Sequence, residues 1–223
     1  VKKFSIIIPI LNEEANIATV LASLQSLRQQ DHEVIIVDGG SSDDTVDIAR
    51  DGADIIIRSD RGRARQMNAG ANLASGDVLL FLHADTRLPE NAVELIRQAL
   101  INKRWGRFDV RLSGTHPLFR LIEFMMNWRS RISGIATGDQ AMFIEKKLFA
   151  ETGGFAETPL MEDIALSKIL KHYSRPACIG VPVLTSSRRW EEYGILKTIV
   201  LMWRLRLAYF FGVSPEQLVR RYH

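Results

Sequence analysis

The chain has 223 residues, 46% of them hydrophobic and 25% charged, with a formal net charge of +3. That length holds one α/β domain with a sizeable core, and so small a charge excludes a protein that binds nucleic acid through bulk basicity. A single cysteine, Cys178, excludes an internal disulfide and suits a reducing compartment, and no uncharged apolar run reaches the roughly 18 residues of a membrane span.

Residues 4–8 predict a buried strand rich in β-branched side chains, with Pro9 ending its ladder. A strand so near the start leaves no expected signal peptide. Asn12-Glu13-Glu14 opens a helix whose apolar face is Ile17, Val20, Leu21, Leu24 and Leu27, and its acidic first turn suits the positive end of the dipole. Residues 34–37 predict a second strand, ending at Asp38-Gly39-Gly40-Ser41-Ser42-Asp43-Asp44. The glycines there permit close approach of a ligand, and Ser41 or Ser42 can cap the next helix. A third strand covers 55–57, and a helix over 62–74 carries Arg61, Arg63 and Arg65 at its entrance. The fourth strand, 78–82, stops abruptly at His83-Ala84-Asp85-Thr86, and Pro89 suits the first position of a helix running to 100.

The second half is less regular. Residues 105–112 predict a strand with Phe108 and Val110 on one face, and 118–135 an amphipathic but interrupted helix. A short strand over 141–144 leads to a helix over 146–152, stopped by Gly153-Gly154. A helix over 162–172, a strand over 177–184 and a strongly apolar helix over 195–211, with Lys197, Arg204 and Arg206, complete the pattern.

The strand–helix alternation of the first hundred residues predicts a parallel, doubly wound sheet, in which ligands gather at the carboxyl ends of the strands. The dinucleotide fingerprint G-x-G-x-x-G and the P-loop are both absent, which disfavours an NAD enzyme and a P-loop nucleotide hydrolase. Asn12-Glu13, Asp38, His83-Ala84-Asp85 and Glu162-Asp163 each follow a strand or open a helix. Singly, each reads as a cap or a solvated residue. Together with Arg63 and Arg65 they supply carboxylates for a metal and a base, and cations for phosphates, on one rim of one sheet.

Six segments in order resemble the inverting glycosyltransferases of family 2, which have the GT-A fold. Ile8-Pro9-Ile10-Leu11-Asn12-Glu13 resembles the family's opening strand and turn, and Val37-Asp38-Gly39-Gly40-Ser41-Ser42-Asp43 its nucleotide-binding segment. The stretch from Gly62 to Gly70 resembles its donor-side helix, His83-Ala84-Asp85 its D-x-D metal motif, and Glu162-Asp163 its catalytic-base pair. Ser187-Arg188-Arg189-Trp190 resembles the end of its Q-x-x-R-W motif. Gly138-Asp139-Gln140 and Arg188-Arg189-Trp190 look like the short, soluble-length subgroup, whose relatives are associated with carotenoid-type lipid acceptors.

The resemblance implies a mostly parallel central sheet flanked by helices. It implies one domain over 1–223, with a nucleotide-sugar half at 1–102, an acceptor half at 103–190 and C-terminal amphipathic helices at 191–223. The implied reaction is hexosyl transfer from a nucleotide sugar, a UDP-sugar first, to an acceptor hydroxyl, with a divalent metal. Asp38 would meet the base and Glu13 the nucleoside, with Pro9 and Ala84 lining the donor. Arg63 and Arg65 would pair with the diphosphate, and Arg188, Arg189 and Trp190 would hold the diphosphate or stack on a sugar. Asp85 and His83 would bind the metal, Asp163 would act as the base beside Glu162, and Asp139 would line the acceptor site.

Two departures matter. His83 replaces the first aspartate of D-x-D, and imidazole favours Mn²⁺ over Mg²⁺. Ser186 stands where the family has glutamine, which argues against a processive polysaccharide synthase. The alternatives are a sugar-phosphate nucleotidyltransferase, disfavoured because Pro9-Ile10-Leu11-Asn12-Glu13 lacks its G-x-G-x-R, and a non-catalytic nucleotide-sugar-binding protein. The helices over 118–129 and 195–211 combine apolar bulk with basic residues and Trp128 and Trp203. They suit either a homodimer or peripheral docking of a cytoplasmic protein at the inner face of the membrane.

Overall fold

The structure, a computed structural model, describes residues 2–222. In chain order its elements are β1 (Phe4–Ile10), α1 (Glu14–Arg28), β2 (Glu33–Asp38), α2 (Thr45–Ala49), β3 (Ile55–Arg58), α3 (Arg63–Leu73), β4 (Val78–Phe81), β5 (Thr86–Arg87) and α4 (Ala92–Ala99). Then follow β6 (Trp105–Leu112), α5 (Pro117–Ser133), β7 (Phe143–Glu145), α6 (Lys146–Glu151), α7 (Glu162–Tyr173), β8 (Ala177–Thr185), α8 (Arg188–Tyr193), α9 (Ile195–Phe210) and α10 (Pro215–Tyr222).

The sheet has eight strands in the order β3-β2-β1-β4-β7-β6-β8-β5. β3, β2, β1 and β4 run parallel. β7 turns antiparallel to both β4 and β6, while β6 and β8 are again parallel. Side chains along β1 alternate between two cores, as the period of a strand requires. Ile6, Ile8 and Ile10 face one core with α1 and α4 residues such as Leu24 and Ile96. Ile7 faces the other with Met67 of α3, Phe149 of α6 and Leu166 of α7. Burial on both faces explains why the strands read as unbroken apolar runs. On the second face α3 lies so close that a Cβ on Gly70 would stand 2.6 Å from Ile7 Cγ2.

The structure corrects several local expectations. Pro9 does not end β1: it pairs in register with Val37, and the strand continues to Ile10. Pro89 precedes the helix it was expected to start; its carbonyl accepts from Ala92 N, and Asn91 is the cap residue of α4. Neither Ser41 nor Ser42 caps α2; Ser41 Oγ accepts from Asn12 N instead. Helix α5 is continuous, not interrupted, and its polar residues Glu123 and Asn127 face β6. Glu123 accepts from Leu112 N at 2.6 Å, and Asn127 bonds both Val110 N and Val110 O at 2.9 and 3.1 Å. Those contacts lie on β6, just past its register shift at Phe108/Asp109.

At the amino ends of the parallel strands, away from the rim described below, Glu33 ties β2 to β1 and to the turn before β4. Its carboxylate accepts from Ser5 Oγ, from Ser75 N at 2.6 Å, from Ser75 Oγ at 2.8 Å and from Gly76 N at 3.3 Å. Burial alone would raise its pKa; the hydrogen bonds outweigh burial and hold it below the ordinary 4.5. A depressed carboxylate pKa stabilises the fold fully above the unfolded value, and that contribution is lost as pH falls through the folded value. Glu33→Gln should therefore cost roughly 1–3 kcal/mol at neutral pH and flatten the loss of stability below about pH 4.5. Urea unfolding at pH 7 and pH 3.5 checks this, and equal losses at both would count against it.

Candidate active site

The strand order reverses between β1 and β4, so the carboxyl ends of these two strands frame the crevice where open α/β sheets bind ligands. Asn12, just past β1, has φ 53°, a left-handed conformation that asparagine tolerates. This turn interlocks with the loop after β2: Asn12 N donates to Ser41 Oγ at 3.0 Å, Ser42 N to Asn12 Oδ1 at 2.9 Å, and Glu13 N to Thr45 Oγ1 at 2.8 Å. Asp38 is buried at the end of β2, and its Oδ1 accepts from Ser41 N at 2.8 Å. Gln66 of α3 closes the floor, donating from Nε2 to Ile10 O and Val37 O, both at 2.8 Å.

Past β4, Asp85 accepts from its neighbour Thr86 Oγ1 at 3.3 Å. Burial and then the like charge of Glu13 raise its pKa, against the opposing pull of Arg188. Arg188 also lies 3.6 Å from Glu13 Oε1, so β1, β4 and α8 meet here. Two carboxylates that repel one another, on adjoining strand ends, are oxygen ligands suited to a hard divalent cation. Among the described residues no group of three His, Cys, Asp or Glu could hold a metal unaided. The groups acting on His83 are Arg63 and Asp139, not those acting on Asp85. Burial and then Arg63 pull the His83 pKa down to about 3, so its ring is neutral. Its Nε2 is buried without a partner beside a cavity of about 10 Å³, which Arg63, Phe81, Gly138, Glu162 and Asp163 also line.

Glu162 and Asp163 open α7 behind Met161, a non-glycine residue held at φ 68°. Such left-handed backbone is strained and gathers at functional sites. Asp163 Oδ2 accepts from Gly138 N at 2.9 Å, and its Oδ1 from Ile164 N at 2.7 Å. Burial raises its pKa, the two backbone donors pull it down, Asp139 raises it and Arg206 lowers it; the net shift is upward. Glu162 is also raised, by burial and by Asp163, although Arg63 stands 3.8 Å from its Oε1. The pair is thus a desolvated carboxyl dyad with unusually high proton affinity, beside a half-exposed guanidinium.

The family model for glycosyl transferase family 2 matches residues 5–155. The chain belongs to glycosyl transferase family 2. A "PGL/p-HBAD biosynthesis glycosyltransferase" of Mycobacterium bovis is 45% identical over 94 residues, 39% of this chain and 37% of that protein. An undecaprenyl-phosphate 4-deoxy-4-formamido-L-arabinose transferase of Photorhabdus laumondii is 33% identical over 111 residues, 44% of this chain and 34% of that protein. The match thus spans about a third of the length of these curated relatives. Among solved structures, S. aureus TarS in complex with UDP-GlcNAc aligns with a TM-score of 0.66 at 19% identity, over 82% of this chain and 58% of that one. A mannosyltransferase from Pyrobaculum calidifontis in complex with GDP-Man and Mn²⁺ aligns at 0.65 and 20% identity, over 93% and 61%. The fold is the GT-A fold of these glycosyltransferases.

The family 2 framework places the expected site residues unevenly. Glu13, Asp38, Arg63, Asp85, Glu162 and Asp163 fall on the rim or along its continuation to α7. Pro9 lies within β1 and Ala84 is buried in the first core. Arg65 pairs with Glu157 at 3.2 Å and Asp60 at 3.9 Å, exposed carboxylates away from Glu162. The Trp190 ring packs with Phe119, Ile122 and Ile199 between α5 and α9, and Arg189 lies 5.8 Å from the Tyr193 ring. From that segment it is Arg188 that reaches the rim.

Three residues outside the motifs also converge on Asp163: Arg129 of α5, and Arg206 and Tyr209 of α9. The only signal for the two arginines was a cation inside an apolar helix, in stretches that suit either a homodimer or peripheral membrane docking. Because Asp139 raises Asp163, Asp139→Asn should lower the Asp163 titration midpoint, which in the native protein stands above the ordinary 3.8. Carbon-13 NMR titration of the side-chain carboxyls reads both, and an unchanged midpoint in the variant would remove Asp139 from the account.

Proposed function

We propose that this chain is an inverting glycosyltransferase that moves a sugar from a nucleoside diphosphate sugar to an acceptor hydroxyl. The observation that carries this reading is the Glu162–Asp163 dyad, buried at Glu162 and partly buried at Asp163, with Gly138 donating to Asp163 beside His83 at the end of β4. Family membership and nucleotide sugars on two structural neighbours support the donor class. Those neighbours hold both UDP and GDP sugars, so the base is decided by a donor panel, with UDP-sugars first.

In this reading Asp38 accepts a hydrogen bond from the base and Glu13 contacts the nucleoside. Asp85, with Glu13 beside it, would hold a Mn²⁺ or Mg²⁺ ion, which supplies Lewis-acid stabilisation of the leaving diphosphate. Arg63, weakly tied to Glu162, swings to the diphosphate oxygens and stabilises the charge that develops there. Asp163 takes the proton from the acceptor hydroxyl as its oxygen bonds to the anomeric carbon. The carbon–oxygen bond to the diphosphate breaks on the opposite face, and the configuration inverts. A raised proton affinity makes the ionised form of Asp163 a stronger base.

A lipid acceptor fits the surface. Leu196, Val200, Trp203, Leu207 and Phe210 recur along the outer face of α9, with Trp203 65% and Phe210 77% exposed. Leu121, Phe124, Trp128 and Ile132 form a similar stripe on α5. The two helices pack together through Ile122, Met126, Ile195 and Ile199, so the stripes belong to one surface. Lys197 and Arg204 are exposed on α9 and complement an anionic bilayer. No helix among the described residues is long and apolar enough to cross a membrane. The surface therefore suits lying at the interface rather than spanning it.

Asp163→Asn should lower turnover by roughly 10²–10⁴-fold with UDP affinity nearly unchanged, since the loss falls on the transition state. Asp85→Asn should instead abolish the metal dependence of UDP binding. Donor hydrolysis across a panel of nucleotide sugars, with UDP titrated in parallel, separates an enzyme from a mere binder; full turnover in Asp163→Asn would remove it as the base. For the surface, co-sedimentation with vesicles containing phosphatidylglycerol should show binding that weakens with salt and with Trp203→Ala. Self-association on a sizing column without vesicle binding would assign the stripes to a second copy of the chain.

A further inference from the structure

Arg129 belongs to α5, whose outer face is apolar, yet its guanidinium is withdrawn from solvent: Nε and Nη2 are buried and have no hydrogen-bond partner. Burial, and then the charge of Arg206, pull its pKa down to about 10. Arg206 lies on α9 between the exposed Trp203 and Leu207 but is itself only partly exposed, and its charge acts on both Arg129 and Asp163. Among the ion pairs of the described residues, which include those of Arg107, Arg120 and Arg131, neither arginine takes part. Arg107, fully buried nearby, also leaves its Nε without a partner, but its terminal nitrogens are engaged: it is paired with Asp109 and donates to Asn127 O at 3.2 Å, and Arg131 pairs with Asp109 as well.

Two guanidiniums that repel each other, one with desolvated donors, form a costly arrangement unless an anion lies between them. The carboxylates whose charge reaches Arg129, those of Asp139 and then Asp163, do not fill that role by contact: neither is paired with it, and both oxygens of Asp163 accept from backbone amides. We propose that Arg129 and Arg206 bind a phosphate group carried by the acceptor, and so hold the acceptor's hydroxyl at Asp163. This rests on the reading of Asp163 as the base.

Placement decides between donor and acceptor. Arg63, the donor-side cation, acts on Glu162 and His83, whereas Arg129 and Arg206 act on Asp163. In an inverting transfer the leaving diphosphate and the base lie on opposite sides of the anomeric carbon, so an anion on the base's side belongs to the acceptor. Chemistry decides the anion: two planar forks can share the oxygens of a tetrahedral phosphate, which offers more acceptor sites than a single carboxylate. The phosphate is either that of a soluble ester or a lipid headgroup reached beneath the apolar stripes of α5 and α9.

The test is a binding measurement on the full chain with the donor side filled by UDP and Mg²⁺. Phenyl phosphate is titrated by calorimetry, and phosphatidate vesicles are compared with phosphatidylglycerol vesicles of equal charge. We expect one phosphate site per chain, weakened at least tenfold by Arg206→Gln and by Arg129→Gln, with UDP affinity unchanged. Should Arg129→Gln fail to fold, the partly exposed Arg206 carries the test alone. Arginine-dependent binding of phenyl phosphate identifies a soluble ester, and arginine-dependent preference for phosphatidate alone identifies a lipid phosphate. Binding that is absent from the native chain, or indifferent to both arginines, overturns the site. Failure of the native chain to bind UDP would instead count against the glycosyltransferase reading.

Discussion

Gly138 is the point on which the arrangement of this protein turns. Its N–H donates to Asp163 at 2.9 Å, and a Cβ in its place would stand 2.5 Å from His83 Nε2. One residue thus touches the end of β4 through van der Waals contact and the start of α7 through a hydrogen bond. Any side chain there would push these elements apart. The turn that presents it, Gly138–Gln140, is braced by reciprocal bonds between Thr137 and Gln140. The preceding residue, Ala136, donates to Ser167 Oγ of α7 at 3.1 Å. The helix that carries the carboxylate therefore also holds the turn that orients it.

Burial dominates the charge pattern along the crevice. It is the first cause of the raised proton affinity of Asp85, Glu162 and Asp163, and of the lowered affinity of His83 and Arg129. Desolvation disfavours whichever form is charged, so the carboxyls move up and the cations down. A site of this kind is poised for a ligand that brings compensating charge. The strand-end carboxylates invite a cation and the α5–α9 arginines an anion.

The strands and their motif-bearing ends were legible because a strand buried on both faces writes itself as an apolar run that stops where the chemistry starts. The parallel half of the sheet, β3 to β4, follows from that alone. What was not legible depended on which way a polar side chain turns. The stretch over 118–135 looked interrupted, yet it is one helix whose Glu123 and Asn127 satisfy the backbone of β6. Arg206 looked like a headgroup contact, yet its charge is felt by Asp163. Trp190 looked like a sugar platform, yet it fills the joint between α5 and α9. Helical periodicity shows that a helix has two faces, but not which neighbour each face meets.

Helix α9 packs Leu205, with partly buried Leu201 and Tyr209, against Met161 and Ile164, the residues that flank the dyad. In chain order it also follows every strand of the sheet. Chains fold from the amino end as they are made, so every strand of the sheet, through β8, emerges first. Until α9 follows, Met161 and Ile164 face water and Asp163 feels Asp139 without the opposing charge of Arg206. The surroundings of that carboxylate are therefore finished only after the strands of the scaffold have emerged.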